Sequence, residues 1–318
     1  MAMPYDLIYV ATDLDAGMTV KGALRRAKGL SARQIRRIIG GTGVHGEKPE
    51  AGGEGGVFLN DRPARFVDRV QAGDRIGLLY PREDTYLTPQ EMPLNILYED
   101  EDILAVDKPP GIVVHPTKGH PDGTLANGIV FRMRARCENY RPRFINRLDM
   151  GTSGIVLIGK NAHAQSRFTQ MAAKGQVEKR YIAVCYGAPE PPAGVIDLPI
   201  GMADGSTVVR TVRADGAPSV TEYETLTTFA LPDGTPVSAL KLRLLTGRTH
   251  QIRVHLSHAG HAVVGDSLYG PPGRGDMDRQ ALHAVGLYFP HPNTGERIEV
   301  VSPLPPDMQA LTGGAAAE

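Results

Sequence analysis

The sequence predicts an α+β protein: a small mixed unit followed by a larger one. Three observations lead there. Strand-like apolar runs and helical stretches are mixed without the regular strand–helix alternation that a parallel sheet requires. A stretch carrying Pro81, Pro89 and Pro93 separates two blocks of elements. The 318 residues suffice for one large domain plus a small one.

Taken in order, "VKGALRRAKGL" is amphipathic, with Val20, Leu24 and Ala27 at helical spacing, and Gly29 ends it. "SARQIRRIIG" begins a second helix, with Ser31 and Gln34 spaced as a capping box. The glycine-rich "GTGVHGEKPEAGGEGG" follows a helix rather than a strand and lacks a Gly-Lys-Ser/Thr ending, so it reads as a loop and not a phosphate cradle. "VFLNDRPARFV" predicts a hairpin turning at Asn60-Asp61, and "AGDRIGLLY" a closing strand. The first unit thus spans 17–80 and a linker 81–95.

The second unit, 96–306, opens with two strands flanking Pro109-Pro110-Gly111, a turn sequence. "GTLANGIVFRM" is helical. Ile155, Val156, Leu157 and Ile158 form a buried strand, and Asn161 caps a helix that Gly175 ends. In "VEKRYIAVCYG" the alternation puts Val177, Lys179, Tyr181, Ala183 and Cys185 on one side. "SALKLRLLTGRTHQIRVHLSHAG" reads as strand, turn, then a helix that Gly260 ends. "EVVSPLPPDM" closes the unit, and 307–318 is expected as a loose tail.

Hydrophobic residues make up 41 % and charged residues 22 %, as in ordinary globular proteins. No apolar run reaches membrane-spanning length, and the N-terminus lacks a secretion-signal pattern. The two cysteines, Cys137 and Cys185, have no metal or redox spacing and fit a reducing cytoplasm. Net charge is zero, but it is segregated. Basic runs cover Lys21–Arg37, Arg132–Arg147 and Lys241–Arg253, while acids gather between Arg82 and Asp107. Such segregation suits a polyanion on one face; solvated helix faces are the plainer alternative.

Chemistry points first to "RLDMGTSG", where Arg147 and Asp149 precede a turn at the mouth of a core strand. An aspartate there serves as a structural cap, or as a nucleophile or acid–base group. In "TGRTHQIR", Arg248 lies just before a helix start, where the dipole and free N–H groups favour anions and keep a carboxylate ionised. Tyr181 is a core tyrosine, a stacking face or a proton acceptor. His250, His255, His258 and His261 crowd one helix, but no His-Glu-x-x-His pattern or cysteine set accompanies them, so no metal is expected. Paired carboxylates for glycoside hydrolysis and a serine or cysteine elbow are not visible.

"INRLDMGTSGIVLIGKN" resembles the catalytic signature of pseudouridine synthases of the RluA type. "EDEDILAVDKPPGIVVHP", "EKRYIAVCYG", "LKLRLLTGRTHQIRVHLSHAGHAVVGDSLYG" and "LHAVGLYFPHPNTGERIEVVSPLP" resemble that family too, in its order. "GLSARQIRRII", "VFLNDRPA" and "VQAGDRI" resemble the alpha-L RNA-binding domain, although the glycine-rich insert departs from its compact pattern. The resemblance implies a mixed, largely antiparallel catalytic sheet and isomerisation of uridine in RNA, without cofactor or metal. It implies Asp149 as the catalytic aspartate acting at the sugar and Arg248 as its partner. Tyr181 would stack on the base and help remove the ring proton, and Arg147 would fill the space left by the flipped nucleotide. Thr152, Ser153 and Gly154 would position the aspartate loop. Asn146 stands where many members carry histidine. Arg25, Arg33, Arg36, Arg37 and Arg143 would contact RNA. The expected partner is large-subunit ribosomal RNA, met by a cytoplasmic monomer. The alternatives are a tRNA uridine, or a non-catalytic RNA-binding or ribosome-assembly protein.

Overall fold

A computed structural model of the chain describes residues 5–30, 35, 38, 56–80, 85–138 and 140–313. The chain divides into two compact units. One comprises Met1–Tyr86, Met133–Arg143 and Gly159–Arg167; the other comprises Leu87–Arg132, Phe144–Ile158 and Phe168–Glu318.

In the first unit, β1 (Leu7–Val10), α1 (Val20–Lys28), β2 (Gly56–Leu59), β3 (Arg62–Ala64) and β4 (Arg75–Leu79) follow one another. The four strands form an antiparallel sheet in the order β1-β4-β2-β3. The unit therefore includes a strand before residue 17, which the sequence reading omitted. Thr19 caps α1 by accepting from the Gly22 N–H at 3.1 Å, and Gly29 ends it in the left-handed conformation at φ 66°. α1 buries Val20, Ala23 and Leu24; Ala27, expected on that face, is exposed. Asn60 and Asp61 both have positive φ, 50° and 61°, as a tight two-residue hairpin turn requires. Of the predicted second helix, Ile35 and Ile38 are described and join the core with Leu24, Val57, Ile76 and Leu78. Arg33, Arg36, Arg37 and most of the glycine-rich stretch lie outside the described residues.

Helices α2 (Leu125–Ala135) and α3 (Ala162–Ala173) span positions in both units. The remaining strands, which fall in the second unit apart from Arg143 and Gly159, are β5 (Asn95–Glu99), β6 (Ile103–Lys108), β7 (Arg143–Phe144), β8 (Ser153–Gly159), β9 (Glu178–Tyr186), β10 (Ala193–Asp197), β11 (Ile200–Met202), β12 (Arg210–Val212), β13 (Val220–Ala230), β14 (Pro236–Leu244), β15 (Leu282–Pro290) and β16 (Arg297–Val301). The second unit's remaining helices are α4 (Gln251–His258) and α5 (Pro306–Thr312). The main sheet runs β10-β13-β14-β9-β15-β8-β6-β5, with β16 beside β15 and β7 beside β8. The pairs β10–β13, β13–β14, β14–β9, β9–β15, β15–β16 and β5–β6 are antiparallel, whereas β8 pairs with β15 in parallel, Ser153 facing His283. All seven residues of β8 are buried, as an apolar run flanked by glycines leads one to expect.

Two details depart from the sequence reading. β9 is buried on both faces from Tyr181 to Cys185, because it lies mid-sheet between β14 and β15; its alternation does not separate core from solvent. The expected tail is helical through Thr312: α5 starts at Pro306, buries Met308 completely, and ends at Gly313 with φ 58°.

Candidate active site

The parallel β8–β15 pairing explains why Asp149 stands where it does. Gly154 has φ 106°, and a Cβ there would lie 2.3 Å from the Ala284 carbonyl oxygen, so only glycine lets the strands approach. The preceding loop is clamped from several sides. The Met150 carbonyl accepts from the Gly111 N–H at 2.9 Å and from Lys108 Nζ at 3.1 Å. Arg279 Nη1 donates to the Gly151 carbonyl at 3.0 Å, and Gln280 Nε2 donates to Thr152 Oγ1 at 3.1 Å. Ser153 Oγ lies 2.9 Å from His283 Nδ1. These contacts pin the backbone on both sides of Asp149.

Asp149 faces a cavity of about 440 Å³, a size suited to a small ligand group. Val114, Leu148, Tyr181 and Leu282 supply apolar wall; Lys179, His250 and Arg253 supply polar groups. The ion pair to Asp149 comes from Arg253, whose Nη1 donates to Asp149 Oδ2 at 2.9 Å. Nε and Nη2 of Arg253 grip Asp266 through two parallel bonds of 2.7 Å each. The side chains of Arg253 and Asp266 are 7 % and 0 % exposed, whereas that of Asp149 is 25 % exposed. One carboxylate is thus sealed in as an anchor, and the other is presented to the cavity. Burial works against the charge on Asp266, but the Arg253 guanidinium and the Leu268 and Tyr269 amides hold its carboxyl below the usual range.

Comparisons with known proteins point to one family. The family described as RNA pseudouridylate synthase matches residues 102–258, which include Asp149, Tyr181 and Arg253. "Ribosomal large subunit pseudouridine synthase D" of Xanthomonas campestris pv. campestris is 38 % identical over 271 residues, covering 81 % of this chain and 80 % of that protein. The "uncharacterized RNA pseudouridine synthase YjbO" of Bacillus subtilis is 39 % identical over 264 residues, covering 82 % and 91 %. The solved structure of "Human RNA Pseudouridylate Synthase Domain Containing 1" superposes with a TM-score of 0.55 at 28 % identity, covering 71 % of this chain and 96 % of that one. The chain belongs to the RNA pseudouridylate synthase family.

Within this synthase, the residues singled out from sequence fall in different places. Asp149, Arg147, Tyr181 and Arg248 all line the cavity. Arg248, expected to pair with Asp149, instead donates from Nε to the Pro218 carbonyl at 3.2 Å and is exposed. It precedes α4, as foreseen, but the bond to the carboxylate comes from Arg253, five residues later. Tyr181 is 6 % exposed, and burial pushes its hydroxyl well above the ordinary value, so it stands as a neutral phenol. Arg143, expected to meet RNA, is buried and donates from Nη1 to the Arg141 carbonyl at 2.8 Å. Asn146 works locally: Nδ2 donates to the Ile155 carbonyl at 2.9 Å and Oδ1 accepts from the Leu157 N–H at 2.8 Å. Its amide thereby extends the pairing of β8 by one side chain.

Arg25 is exposed on the last turn of α1. Its neighbour Arg26 grips the buried Asp15 through Nε at 2.9 Å and Nη2 at 2.7 Å, so it is tied into the fold. Among the described residues, no group of three or more His, Cys, Asp or Glu side chains is arranged to hold a metal. His255 is a core histidine, with Thr221 Oγ1 and the Leu198 carbonyl each 2.9 Å from its ring nitrogens. No helix among the described residues is long and apolar enough to cross a membrane.

Sequence reasoning gave Arg253 and Lys108 no site role and weighed His250 only as a metal ligand. Arg253 lies in the quoted "TGRTHQIR", five residues beyond Arg248. Its importance is not visible as a pattern, because α4 is buried all round from Gln251 to Leu256 and shows no polar stripe. Lys108, in "DKPPG", is fully buried and donates to the carbonyls of Pro109, Ile112 and Met150. A lysine between a strand and a Pro-Pro turn was the available signal.

Proposed function

We propose that this synthase isomerises uridine to pseudouridine in large-subunit ribosomal RNA, with Asp149 as the catalytic carboxylate. The observation that supports it is Asp149 itself: one oxygen is fixed by Arg253, and the residue is turned toward a cavity within the region that matches the family. The relatives named for the large ribosomal subunit support the choice of RNA.

On this reading the target nucleotide flips out of the RNA, at a cost of a few kcal/mol, and its base enters the cavity. Asp149 acts at the sugar and the bond from C1′ to N1 breaks. The detached uracil turns, and C1′ bonds to C5. The C5 proton leaves and N1 gains one, so atoms balance and nothing is consumed. Tyr181 offers its ring to the turning base; as a neutral phenol it assists the C5 proton transfer only by passing a proton on. Arg147, exposed at the rim, occupies the space the flipped nucleotide vacates. Arg248, also at the rim, meets the RNA backbone.

The test pairs pseudouridine mapping, in cells with and without the gene, with purified Asp149→Asn. Loss of the gene removes pseudouridine from large-subunit ribosomal RNA, and Asp149→Asn lacks turnover while keeping the fold and most RNA affinity. Substantial turnover by Asp149→Asn would remove Asp149 from its role. Loss of pseudouridine confined to tRNA would reassign the substrate.

A further inference from the structure

His250 lines the cavity, and the proposed reaction leaves it without a task. It is a non-glycine residue in the left-handed conformation, φ 58°, immediately before α4. That conformation is costly for a side-chain-bearing residue and persists where surroundings enforce it, often at functional sites. The enforcement is visible. His250 Nδ1 lies 2.7 Å from the Tyr269 hydroxyl, and the two rings meet edge to face at 5.5 Å. Nε2 lies 3.9 Å from Asp149 Oδ1, the carboxylate oxygen that Arg253 does not hold.

The hydrogen-bond chain fixes which ring nitrogen carries the proton. The Tyr269 hydroxyl oxygen accepts from the Arg210 N–H at 2.8 Å. Its own proton is then free to donate, and His250 Nδ1 stands in line to accept it. A neutral imidazole that accepts at Nδ1 carries its proton on Nε2. The opposite tautomer would turn a bare nitrogen toward the Asp149 carboxylate, acceptor against acceptor. Burial lowers the His250 pKa, and the Arg253 guanidinium lowers it further against the pull of Asp149, in keeping with a neutral ring. Burial also raises the Tyr269 pKa, which keeps its proton in place.

The cavity therefore presents a donor, Nε2–H, and an acceptor, Asp149 Oδ1, 3.9 Å apart. That gap is too long for a direct hydrogen bond, but one oxygen on the cavity side can lie about 2.8 Å from both. The oxygen must accept from His250 and donate to Asp149. A uracil carbonyl and a phosphate oxygen only accept, and the uracil N3–H only donates. A water does both, but among the substrate's own groups only a hydroxyl does, and within an RNA chain the 2′-hydroxyl is the only hydroxyl a uridine has.

We infer that His250 and Asp149 together read the 2′-hydroxyl of the target nucleotide: His250 Nε2–H donates to its oxygen, and Asp149 Oδ1 accepts its proton. His250 is thus a specificity-determining residue that distinguishes ribose from deoxyribose at the reacting position. The inference rests on the proposed uridine chemistry, which places the sugar beside Asp149.

The experiment uses a synthetic stem-loop around the uridine that mapping identifies, made with ribose or 2′-deoxyribose at that one nucleotide. Affinity for both is measured for the full-length wild type, His250→Phe and His250→Gln. Wild type binds the deoxy stem-loop about tenfold more weakly, the loss expected for one well-placed hydrogen-bond pair. His250→Phe loses affinity for the ribose form and discriminates about threefold or less. His250→Gln carries an amide N–H to a similar position and keeps most of the discrimination, a rescue that a merely structural role would not give. If His250→Phe does not fold, Tyr269→Phe replaces it: without the tyrosine hydroxyl the tautomer is no longer fixed, and discrimination falls. Equal affinity of wild type for the two stem-loops overturns the inference. So does unchanged discrimination in folded His250→Phe, in Tyr269→Phe used in its place, or its loss in His250→Gln. Wild-type turnover of the ribose stem-loop is measured alongside. Its absence overturns the uridine chemistry and this inference with it; its presence with flat discrimination overturns this inference alone.

Discussion

Replacing Arg253 with methionine separates the two carboxylates it serves. Methionine roughly keeps the length of the side chain but removes the charge and all three bonds to Asp149 and Asp266. Asp266 dominates the cost, because its side chain is 0 % exposed and loses its only ion pair among the described residues. Removing one partner of a buried pair costs about 3–5 kcal/mol. The Leu268 and Tyr269 amides still donate to Asp266 Oδ1, at 3.0 and 3.1 Å, which places the loss near the lower end. The bond to the partly exposed Asp149 adds at most about 1 kcal/mol. A total of about 3–4 kcal/mol corresponds to a Tm roughly 5 °C lower for a chain of 318 residues.

Acidity supplies the sign. In the wild type the Asp266 carboxyl lies below its ordinary value, so its contribution is present above the unfolded pKa of about 3.9 and is lost as pH falls through the folded value. In Arg253→Met the same carboxyl is buried without its cation. The variant therefore carries a penalty near neutrality that protonation relieves, and the gap in Tm narrows from pH 7 toward pH 4.5. Thermal unfolding followed by circular dichroism at both pH values measures it, with Arg248→Met as control. Arg248 is exposed, and its side chain reaches only a carbonyl, so that variant should stay within about 0.5 kcal/mol of wild type. The reasoning fails if Arg253→Met melts within 1 °C or so of wild type at pH 7, if the gap widens on acidification, or if Arg248→Met is equally destabilised.

Burial lowers the Lys108 amine from its ordinary 10.5 to about 7, so the native state binds fewer protons than the unfolded chain between those values. Stability should rise with pH across that window by up to about 1.4 kcal/mol per unit from this group, and denaturant titrations of Lys108→Met should show a flatter rise. Gly154→Ala would drive a Cβ into the Ala284 backbone and force positive φ on alanine; it should cost at least about 3 kcal/mol and turnover together, read by melting and single-turnover assays. Removing the exposed Arg25 with alanine should weaken RNA binding and shallow its logarithmic salt slope by about 0.9 if it neutralises one phosphate; an unchanged slope excludes that contact.

What the sequence determined by itself was local. Gly29 ends α1, Asn60-Asp61 turns a hairpin, and Asn161 Oδ1 accepts from the Ala164 N–H at 2.8 Å to start α3. Each follows from the conformational or hydrogen-bonding preference of a few neighbouring residues, which needs no knowledge of the rest of the chain. The glycine-framed run behind Asp149 likewise made a buried strand, and the odd acid at its mouth marked the cavity before any geometry was known. Only tertiary structure decided which arginine meets that acid. Arg253 and Asp149 are 104 positions apart, and local signals favoured Arg248, which stands just before the helix and bonds the Pro218 carbonyl instead. The choice was made by Asp266: a carboxylate sealed from water requires a cation with it, and the fork of Arg253 reaches it and Asp149 at once. Long-range packing also buried both faces of β9, drew Arg143 out of solvent, and turned His250 toward Asp149, because these outcomes depend on which distant elements close over each residue.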